Sequence, residues 1–402
     1  MMDVSILFQE TTLAILFVLV LGVYLFVNRK NVEIQKWISY VVYMVLYRAK
    51  WGIPMMDSIA KKYPRLVKYT SYSGIYIGFA GMIFIFIYLI YMLIQMFVSK
   101  PDMASVAIVQ PFVETEFGSA FFYVPFTYFI VAIFIIAVVH EAAHGIVARR
   151  FKMKVKSTGF AFFSILVPII PAAFVEPDEK HMKKAKPMHQ LAMYAAGPLA
   201  NIILGALVLI VLLVANPMIG SVTTENVMVR GYIPGENETM YPAEQAEIGI
   251  GELIYYVNDT RVETLQDFMS VMSTTQPGQI ITLTTNATTY DIQLAASPDV
   301  ESGYLGVMVA PISKYDDSFK ETYGFFIPII EWVLGLLLLL FIFNIGVALI
   351  NLAPIGPLDG GRMMLTVLLL KFKEKEALKI WGKVSLITLV VLLANIFLPM
   401  FM

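Results

Sequence analysis

Two histidines four residues apart, with a glutamate beside the first, are the residues of this 402-residue chain best suited to chemistry. They form the pattern His140-Glu141-Ala-Ala-His144, and positions i and i+4 share one face of a helix. Both imidazoles can therefore reach one metal ion, while Glu141 can take a proton from a water at the ion's fourth position. An ionisable cluster in apolar helix is costly, so the pattern predicts a hydrolytic metal site rather than two ordinary polar residues.

A catalytic zinc ion usually takes three protein ligands, so one more ligand must come from elsewhere in the chain. His181 and His189, in a basic segment, are two candidates. Asp359 is the stronger candidate, because it is the only acidic residue between Glu331 and Glu374 and follows a Pro- and Gly-containing break in an apolar stretch. An aspartate before glycine is also common in ordinary turns, which is the alternative interpretation.

Asn201 is a further polar group within an apolar stretch, in the sequence Gly197-Pro198-Leu-Ala-Asn201. Pro198 is expected to kink the helix and free backbone groups. Asn201 can serve as an interhelical hydrogen-bonding residue, or it can donate its amide N–H to the oxyanion of a tetrahedral intermediate. Glu141 and Asn201 are therefore the candidate catalytic residues, with both roles of Asn201 open.

The elements that must position these residues are membrane-spanning helices. The chain is 58% hydrophobic and 15% charged, whereas soluble domains are about 45–50% apolar and about 25% charged. This excludes a disordered chain and disfavours a soluble enzyme, and a net charge of −1 gives no sign of a nucleic-acid partner. The absence of cysteine excludes thiolate ligands. Six stretches are long and apolar enough to span a bilayer: 11–27, 75–98, 121–139, 191–215, 325–352 and 384–402.

Two shorter or interrupted apolar stretches do not fit as spans. Residues 37–47 are too few and lie between basic residues, so we expect a helix lying at the membrane interface. Residues 159–175 have basic clusters on both sides and contain two prolines, so we expect strands or a re-entrant loop buried in protein at the inner leaflet.

Basic residues concentrate in three segments, 28–74, 149–190 and 354–383. By the positive-inside rule these segments are cytoplasmic, and both termini and the acidic segment 216–324 lie outside. The helices that carry His144 and precede Asp359 then both run inward. This predicts a shared site near the cytoplasmic face of an integral protein of the cell membrane.

Residues 220–312 are more polar and predict a soluble α+β domain. Residues 254–257 and 280–283 alternate as strands do, and residues 263–272 are typical of a short helix. Three Asn-x-Thr sequons, beginning at Asn237, Asn258 and Asn286, fall in this segment, which is consistent with an outside location.

Three motifs together resemble the site-2 protease family of intramembrane zinc metalloproteases. They are His140-Glu141-x-x-His144, Gly197-Pro198-x-x-Asn201 and Asn351-x-x-Pro354-x-x-Pro357-Leu358-Asp359-Gly360. The resemblance implies one zinc ion per chain, held by His140, His144 and Asp359, with Glu141 as the base that activates a zinc-bound water. It also implies cleavage of transmembrane segments of other membrane proteins, near the cytoplasmic side.

The polar segment resembles the PDZ modules of these proteases, over residues 242–246, 251–258 and 262–268. Gly303-Tyr-Leu-Gly306-Val307 is similar to a loop whose backbone N–H groups bind a C-terminal carboxylate. The resemblance implies a peptide or protein partner for this domain. A shape filter with no peptide pocket is the alternative, and the sequence does not separate recruitment of substrates from their exclusion.

The predicted fold is thus a polytopic α-helical membrane protein of about six transmembrane helices, with a short membrane-associated β or re-entrant segment and an α+β PDZ-like domain. The predicted divisions are 1–119 for the first helices and a cytoplasmic loop, 120–219 for the first part of the catalytic core, 220–312 for the PDZ-like domain and 313–402 for the second part of the core and the last helix.

Three other functions fit parts of the sequence. Another multi-span zinc metalloprotease would take a downstream Glu or His as ligand, which the Asp359 motif disfavours. A membrane-anchored PDZ receptor without catalytic activity would not need Glu141. A metal transporter would leave the PDZ-like segment unexplained.

Overall fold

The computed structural model describes residues 4–38, 42–50, 52–99, 108–111, 121–165, 167–233, 240–296 and 301–400. The sequon at Asn237 lies outside these residues. The chain divides into two compact units, one formed by residues 1–212 and 332–402 and the other by residues 213–331.

The helices of the described residues are α1 Val4–Val27, α2 Gly52–Lys62, α3 Pro64–Ser99, α4 Phe126–Arg150, α5 Glu179–Lys184, α6 Pro187–Gly220, α7 Pro242–Gln245, α8 Leu265–Ser273, α9 Asp317–Tyr323, α10 Ile327–Leu352, α11 Asp359–Lys371 and α12 Glu374–Phe397. Helices α1, α3, α4, α6, α10 and α12 are long and apolar enough to cross a membrane, which confirms the six predicted spans. Their exposed surfaces carry leucine, isoleucine, valine and phenylalanine, as expected of helices that face lipid.

The strands of the described residues are β1 Val32–Ile38, β2 Val42–Ala49, β3 Ile108–Gln110, β4 Phe121–Tyr123, β5 Val155–Ile165, β6 Val167–Pro177, β7 Thr223–Tyr232, β8 Leu253–Val257, β9 Thr260–Arg261, β10 Ile280–Thr285, β11 Thr289–Gln293, β12 Ala295–Ala296, β13 Gly303–Tyr304 and β14 Val307–Tyr315. In the first unit, four of them form an antiparallel sheet in the order β1-β2-β5-β6, so that β6 is an edge strand.

The predicted interfacial helix at residues 37–47 is wrong. Its described residues belong to strands β1 and β2, while residues 39–41 lie outside the described residues. β2 pairs with β5 from Val42 opposite Ile165 to Ala49 opposite Thr158, so its backbone hydrogen bonds are satisfied by a strand more than a hundred residues away. The strand alternative for residues 159–175 is confirmed, because β5 and β6 form a hairpin there with Thr158 opposite Val175.

One side chain spans the whole width of this sheet. Arg48 of β2 donates to Glu33 of β1 at 2.9 Å, to Ser157 of β5 at 3.0 Å and to Glu176 of β6. Glu176 also accepts from the Ser157 hydroxyl at 2.7 Å, and these hydrogen bonds hold the pKa of the Glu176 carboxyl below its usual value. The edge strand β6 is therefore tied to the other three strands at one end.

The helices of the first unit pack around α6, whose residues 191–196 are buried against α3, α4 and α11. On the neighbouring face, Met56 of α2 lies against Gly145 of α4, where a Cβ would meet the Met56 sulfur at 2.3 Å. Glycine at position 145 thus lets α2 approach α4 next to His144.

The second unit is a strand-and-helix domain with its own core. Its main sheet has the order β11-β10-β8-β7-β14, with β9 paired to β8. Val227, Ile254 and Leu283 lie at its centre and are fully buried. Helix α8 begins with a capping box, in which the Thr264 hydroxyl accepts from the Asp267 N–H and the Asp267 carboxylate accepts from the Thr264 N–H.

Candidate metal centre

Two histidines and one aspartate from distant parts of the chain meet at a single point. The Nε2 atoms of His140 and His144 on α4 lie 3.1 Å apart. Asp359, the first residue of α11, places its Oδ2 atom 3.2 Å from His140 Nε2 and 3.3 Å from His144 Nε2. All three side chains are buried. Burial of such groups is unfavourable unless they are paired, and a cation at this point would pair with all three.

The dimensions of this triangle fit a tetrahedral metal ion. Zinc bound at about 2.1 Å to two histidine nitrogens and a carboxylate oxygen separates its ligand atoms by about 3.4 Å. The three observed separations, from 3.1 to 3.3 Å, are close to this value. Two imidazoles and one carboxylate are also a donor set that suits zinc.

Each histidine has a partner on the ring nitrogen that faces away from this point. His144 Nδ1 lies 2.7 Å from the backbone oxygen of Met193, to which it can only donate. His140 Nδ1 lies 3.1 Å from the side-chain amide of Asn201, which is completely buried. Both partners come from α6, so this helix fixes the orientation of the two rings.

Glu141 lies beside the histidines on the side of the edge strand. Its Oε2 atom accepts a hydrogen bond of 2.9 Å from the backbone N–H of Val175 on β6. Each of His140, Glu141 and His144 has one potential ligand atom in this cluster, and the three atoms lie within 4.8 Å of one another. A cavity of about 50 Å³ adjoins Glu141 and is lined by Met55, Met56, Gly159, Ala173 and Phe174, among others.

The backbone around Asp359 is folded tightly, as its glycines require. α10 ends at Leu352 and α11 begins at Asp359. A Cβ on Gly360 would lie 2.0 Å from the Leu352 oxygen, and one on Gly361 would lie 2.1 Å from the Ile355 oxygen. Only glycine permits this close approach, which turns the carboxylate of Asp359 back toward α4.

The other two candidate ligands are engaged elsewhere. His181 Nδ1 contacts the Asp178 carboxylate at 3.0 Å, and its side chain is exposed. His189 stacks on the ring of Phe151, with 4.1 Å between the ring centroids. The structure therefore brings Asp359, and neither of these histidines, to His140 and His144.

Two groups of this site could not be predicted from the residue types. The Met193 oxygen and the Val175 N–H belong to the backbone, so their residue types do not reveal them. Gly197 belongs to one of the predicted motifs, and its closeness to both histidines is visible only in the structure. A Cβ at position 197 would lie 2.4 Å from His144 Nε2 and 2.5 Å from His140 Nε2.

This proximity makes Gly197→Ala a sharp test of the geometry. Alanine normally stabilises a helix relative to glycine by about 1 kcal/mol. At position 197 the added methyl group would displace both imidazoles, so we expect zinc affinity to fall at least 100-fold while the helical circular dichroism is retained. Gly382→Ala is the matched control, because no atom of the described residues lies within 4 Å of a Cβ placed on that helical glycine. Equal zinc binding by the two variants would contradict the geometry.

Comparison with known proteins gives a family match over most of the chain. Residues 128–392 match peptidase family M50. An uncharacterized protein of Methanocaldococcus jannaschii is 31% identical over 241 residues, which cover 58% of this chain and 54% of that protein. A protein of Shouchella clausii named zinc metalloprotease RasP is 28% identical over 250 residues, which cover 49% of this chain and 57% of the relative. The matched region thus spans little more than half the length of these relatives.

Proposed function

Because the chain belongs to peptidase family M50, the site-2 protease family to which its motifs point, we propose that it is a zinc-dependent endopeptidase that cleaves transmembrane segments of other membrane proteins. The observation that carries this proposal is the meeting of His140, His144 and Asp359 beside Glu141, in a chain whose described residues include six helices long and apolar enough to span a membrane.

His140 and His144 would hold zinc through their Nε2 atoms, and Asp359 would hold it through Oδ2. Support comes from the opposite side of each ring, because a metal-binding histidine usually donates its other N–H to an acceptor. The Met193 oxygen is such an acceptor for His144. When bound, the zinc ion would supply a Lewis acid that acidifies water and polarises the substrate carbonyl.

Asn201 would accept the Nδ1–H of His140 in the same way. The two ends of a side-chain amide have nearly the same shape, and Oδ1 of Asn201 is buried without a partner among the described residues. If the amide is turned so that Oδ1 accepts from His140 Nδ1–H, the Nε2 lone pair of His140 is available to a metal ion held also by Asp359. The Nδ2 group then becomes free to donate to an oxyanion, so the two sequence-based roles of Asn201 are compatible.

Glu141 would act as the general base and then as the general acid. Its carboxylate would take a proton from the attacking water and deliver it to the amide nitrogen that leaves. Its contact with the Val175 N–H supports this role, because it holds the carboxylate between the two histidines and the edge strand.

The substrate would bind as an additional strand beside β6, which is the edge strand of the sheet among the described residues. A membrane helix hides its backbone in its own hydrogen bonds, so a peptide bond becomes accessible only where the helix unwinds. The edge of β6 can replace some of the lost bonds next to Glu141. The site would lie near the cytoplasmic face according to the distribution of basic residues.

This function predicts a strong preference among substrates. In liposomes, a transmembrane segment containing Gly or Asn should be cleaved, whereas a polyleucine segment of the same length should be cleaved at least 10-fold more slowly, since it unwinds less readily. Gel separation of tagged products measures both rates. Equal rates would contradict strand addition, and no cleavage of either segment would contradict the proposed protease.

The second unit is proposed to be a PDZ-like domain that binds a peptide or protein on the outer side of the membrane. Support comes from a groove of about 350 Å³ between α8 and residues 302–307, lined by Phe268, Met272, Gly303, Leu305 and Gly306 among others. A groove beside a helix, with a loop of backbone N–H groups, suits a peptide carboxyl terminus.

A further inference from the structure

Arg48 contacts both residues that flank Val175 on β6. Its guanidinium group donates to the Glu176 carboxylate and lies over the ring of Phe174, 5.6 Å from the ring centroid. Phe174 and Glu176 are two residues apart on a strand, so their side chains point to the same face of the sheet. Arg48 therefore holds the part of β6 whose middle residue donates its N–H to Glu141 at 2.9 Å.

Gly159 of β5 makes this contact across the sheet possible. It lies opposite Arg48 on one side and opposite Phe174 on the other. A Cβ at position 159 would lie 2.9 Å from the Phe174 ring and 1.9 Å from the Tyr47 oxygen. Because glycine has no side chain to stand between them, the guanidinium group of Arg48 reaches across β5 to the ring and the carboxylate on β6.

Helix α4, which carries Glu141, is held by the next element along the chain. Asp57 of α2 accepts two hydrogen bonds from Arg149 of α4, at 2.5 and 3.0 Å. One segment, residues 42–62, thus contacts both the helix and the strand between which Glu141 lies. This segment precedes the residues that match peptidase family M50, so the relative placement of α4 and β6 depends on a part of the chain outside the matched region.

We propose that Arg48 is a positioning residue for the proposed proteolysis, on which this inference rests, and that it acts by holding the Val175 N–H against the Glu141 carboxylate. A general base is effective only when it lies within hydrogen-bonding reach of the proton that it takes. A misplacement of about 1 Å can lower the rate about 100-fold. Without Arg48, β6 would keep its backbone hydrogen bonds to β5 but lose the side-chain contacts that hold Phe174 and Glu176 in place.

Arg48 could instead contribute only to the stability of the sheet, and its contact with Glu33 provides the comparison. Glu33 lies on β1, on the side of β2 away from β6, and accepts from Arg48 at 2.9 Å. The two acidic partners of Arg48 are similarly accessible, since the side chains of Glu33 and Glu176 are 50% and 37% exposed. Glu33→Gln therefore removes a comparable ion pair without releasing β6.

The first test compares the rates at which the full-length wild-type, Arg48→Gln, Arg48→Lys and Glu33→Gln chains cleave a tagged, Asn-containing transmembrane segment in liposomes at equal zinc content. We expect kcat to fall at least about 10-fold in Arg48→Gln, with the helical circular dichroism retained. Arg48→Lys should lose less, because its ammonium group keeps a positive charge beside Glu176. Glu33→Gln should stay within about twofold of the wild type, since exposed ion pairs contribute little.

A pair of substitutions separates positioning from sheet stability. Val175→Pro removes the N–H that Glu141 accepts but leaves the pairing of β6 with β5, because that N–H points away from the sheet. If Arg48 acts through this N–H, Arg48→Gln should lower kcat less than about threefold further in the Val175→Pro chain. A role in sheet stability alone predicts the same loss in both backgrounds, so equal losses would overturn the proposal.

Hydrogen exchange of the zinc-free chains gives a measurement that does not depend on cleavage. The Val175 amide should exchange at least about 10-fold faster in Arg48→Gln than in the wild type and Glu33→Gln, because release of β6 opens its hydrogen bond to Glu141. Unchanged exchange in Arg48→Gln would overturn the proposal and leave the proposed protease intact.

If Arg48→Gln does not fold, Glu176→Gln decides in its place, because it weakens the same contact from the β6 side. The same fall in kcat and the same faster exchange are expected of it, and a Glu176→Gln chain that matches the wild type in both would overturn the proposal. Absence of chelator-sensitive cleavage by the wild type would contradict the proteolysis itself, and with it this inference.

Discussion

Asp359→Ala is expected to yield a folded chain that has lost nearly all of its zinc. Oδ2 of Asp359 lies within 3.3 Å of both histidine nitrogens and supplies the negative charge of the ligand set. Altering a group that merely supports a metal ligand typically costs 10–100-fold in metal affinity, so loss of the ligand itself should cost more than about 100-fold. The measurement is zinc per chain by elemental analysis, after equilibration at one fixed concentration of free zinc.

Asp178→Ala is the matched control for this variant. Asp178 also contacts a histidine, His181, at 3.0 Å, but it lies at the start of α5 rather than against His140 and His144. We expect one zinc ion per chain in the control and in the wild type. Full retention of zinc by Asp359→Ala would refute its assignment, and the missing ligand would then have to be sought at His181 or His189.

The membrane helices and the histidine pair could be predicted because each depends on local sequence. Uninterrupted apolar stretches identify spans by length, and a spacing of four places His140 and His144 on one helical face. Asp359 is 215 residues beyond His144, yet its proximity could be inferred because both residues follow helices with the same predicted direction. The distribution of basic residues thus placed His144 and Asp359 at the same face of the membrane, which hydrophobic periodicity alone does not do.

The four-stranded sheet was predicted only in part. The short apolar run at residues 37–47 fits an interfacial helix or a strand equally well. It forms strand because β5, from a distant part of the chain, supplies partners for its backbone hydrogen bonds. The contacts of Arg48 with Ser157 and Glu176 depend on the same pairing. Hydrogen bonds of this kind become visible only when the strands are placed side by side.

Glu141→Gln is expected to keep zinc and fold but to lose cleavage. Glutamine is nearly the same size as glutamate, so α4 and both imidazoles should stay in place, and its amide can still accept the Val175 N–H through its oxygen. It cannot take a proton from water at neutral pH. Removal of a general base typically costs about 10²–10⁴ in rate, and more when the same group also protonates the leaving nitrogen.

Glu10→Gln is the control for this substitution. Glu10 accepts hydrogen bonds from the N–H and the hydroxyl of Thr127, each at 2.9 Å, at the start of the same helix α4. The control removes a carboxylate that contacts α4 but does not lie between the histidines and β6. We expect it to cleave at close to the wild-type rate.

The most direct test of a zinc-dependent protease centred on Glu141 is the cleavage of a tagged, Asn-containing transmembrane segment by the wild-type, Glu141→Gln and Glu10→Gln chains. The chains are compared in liposomes at equal zinc content, with and without a chelator. We expect chelator-sensitive cleavage by the wild type and the control, and a rate at least about 100-fold lower for Glu141→Gln. Cleavage by Glu141→Gln at the wild-type rate, or no chelator-sensitive cleavage by the wild type, would contradict the proposed function.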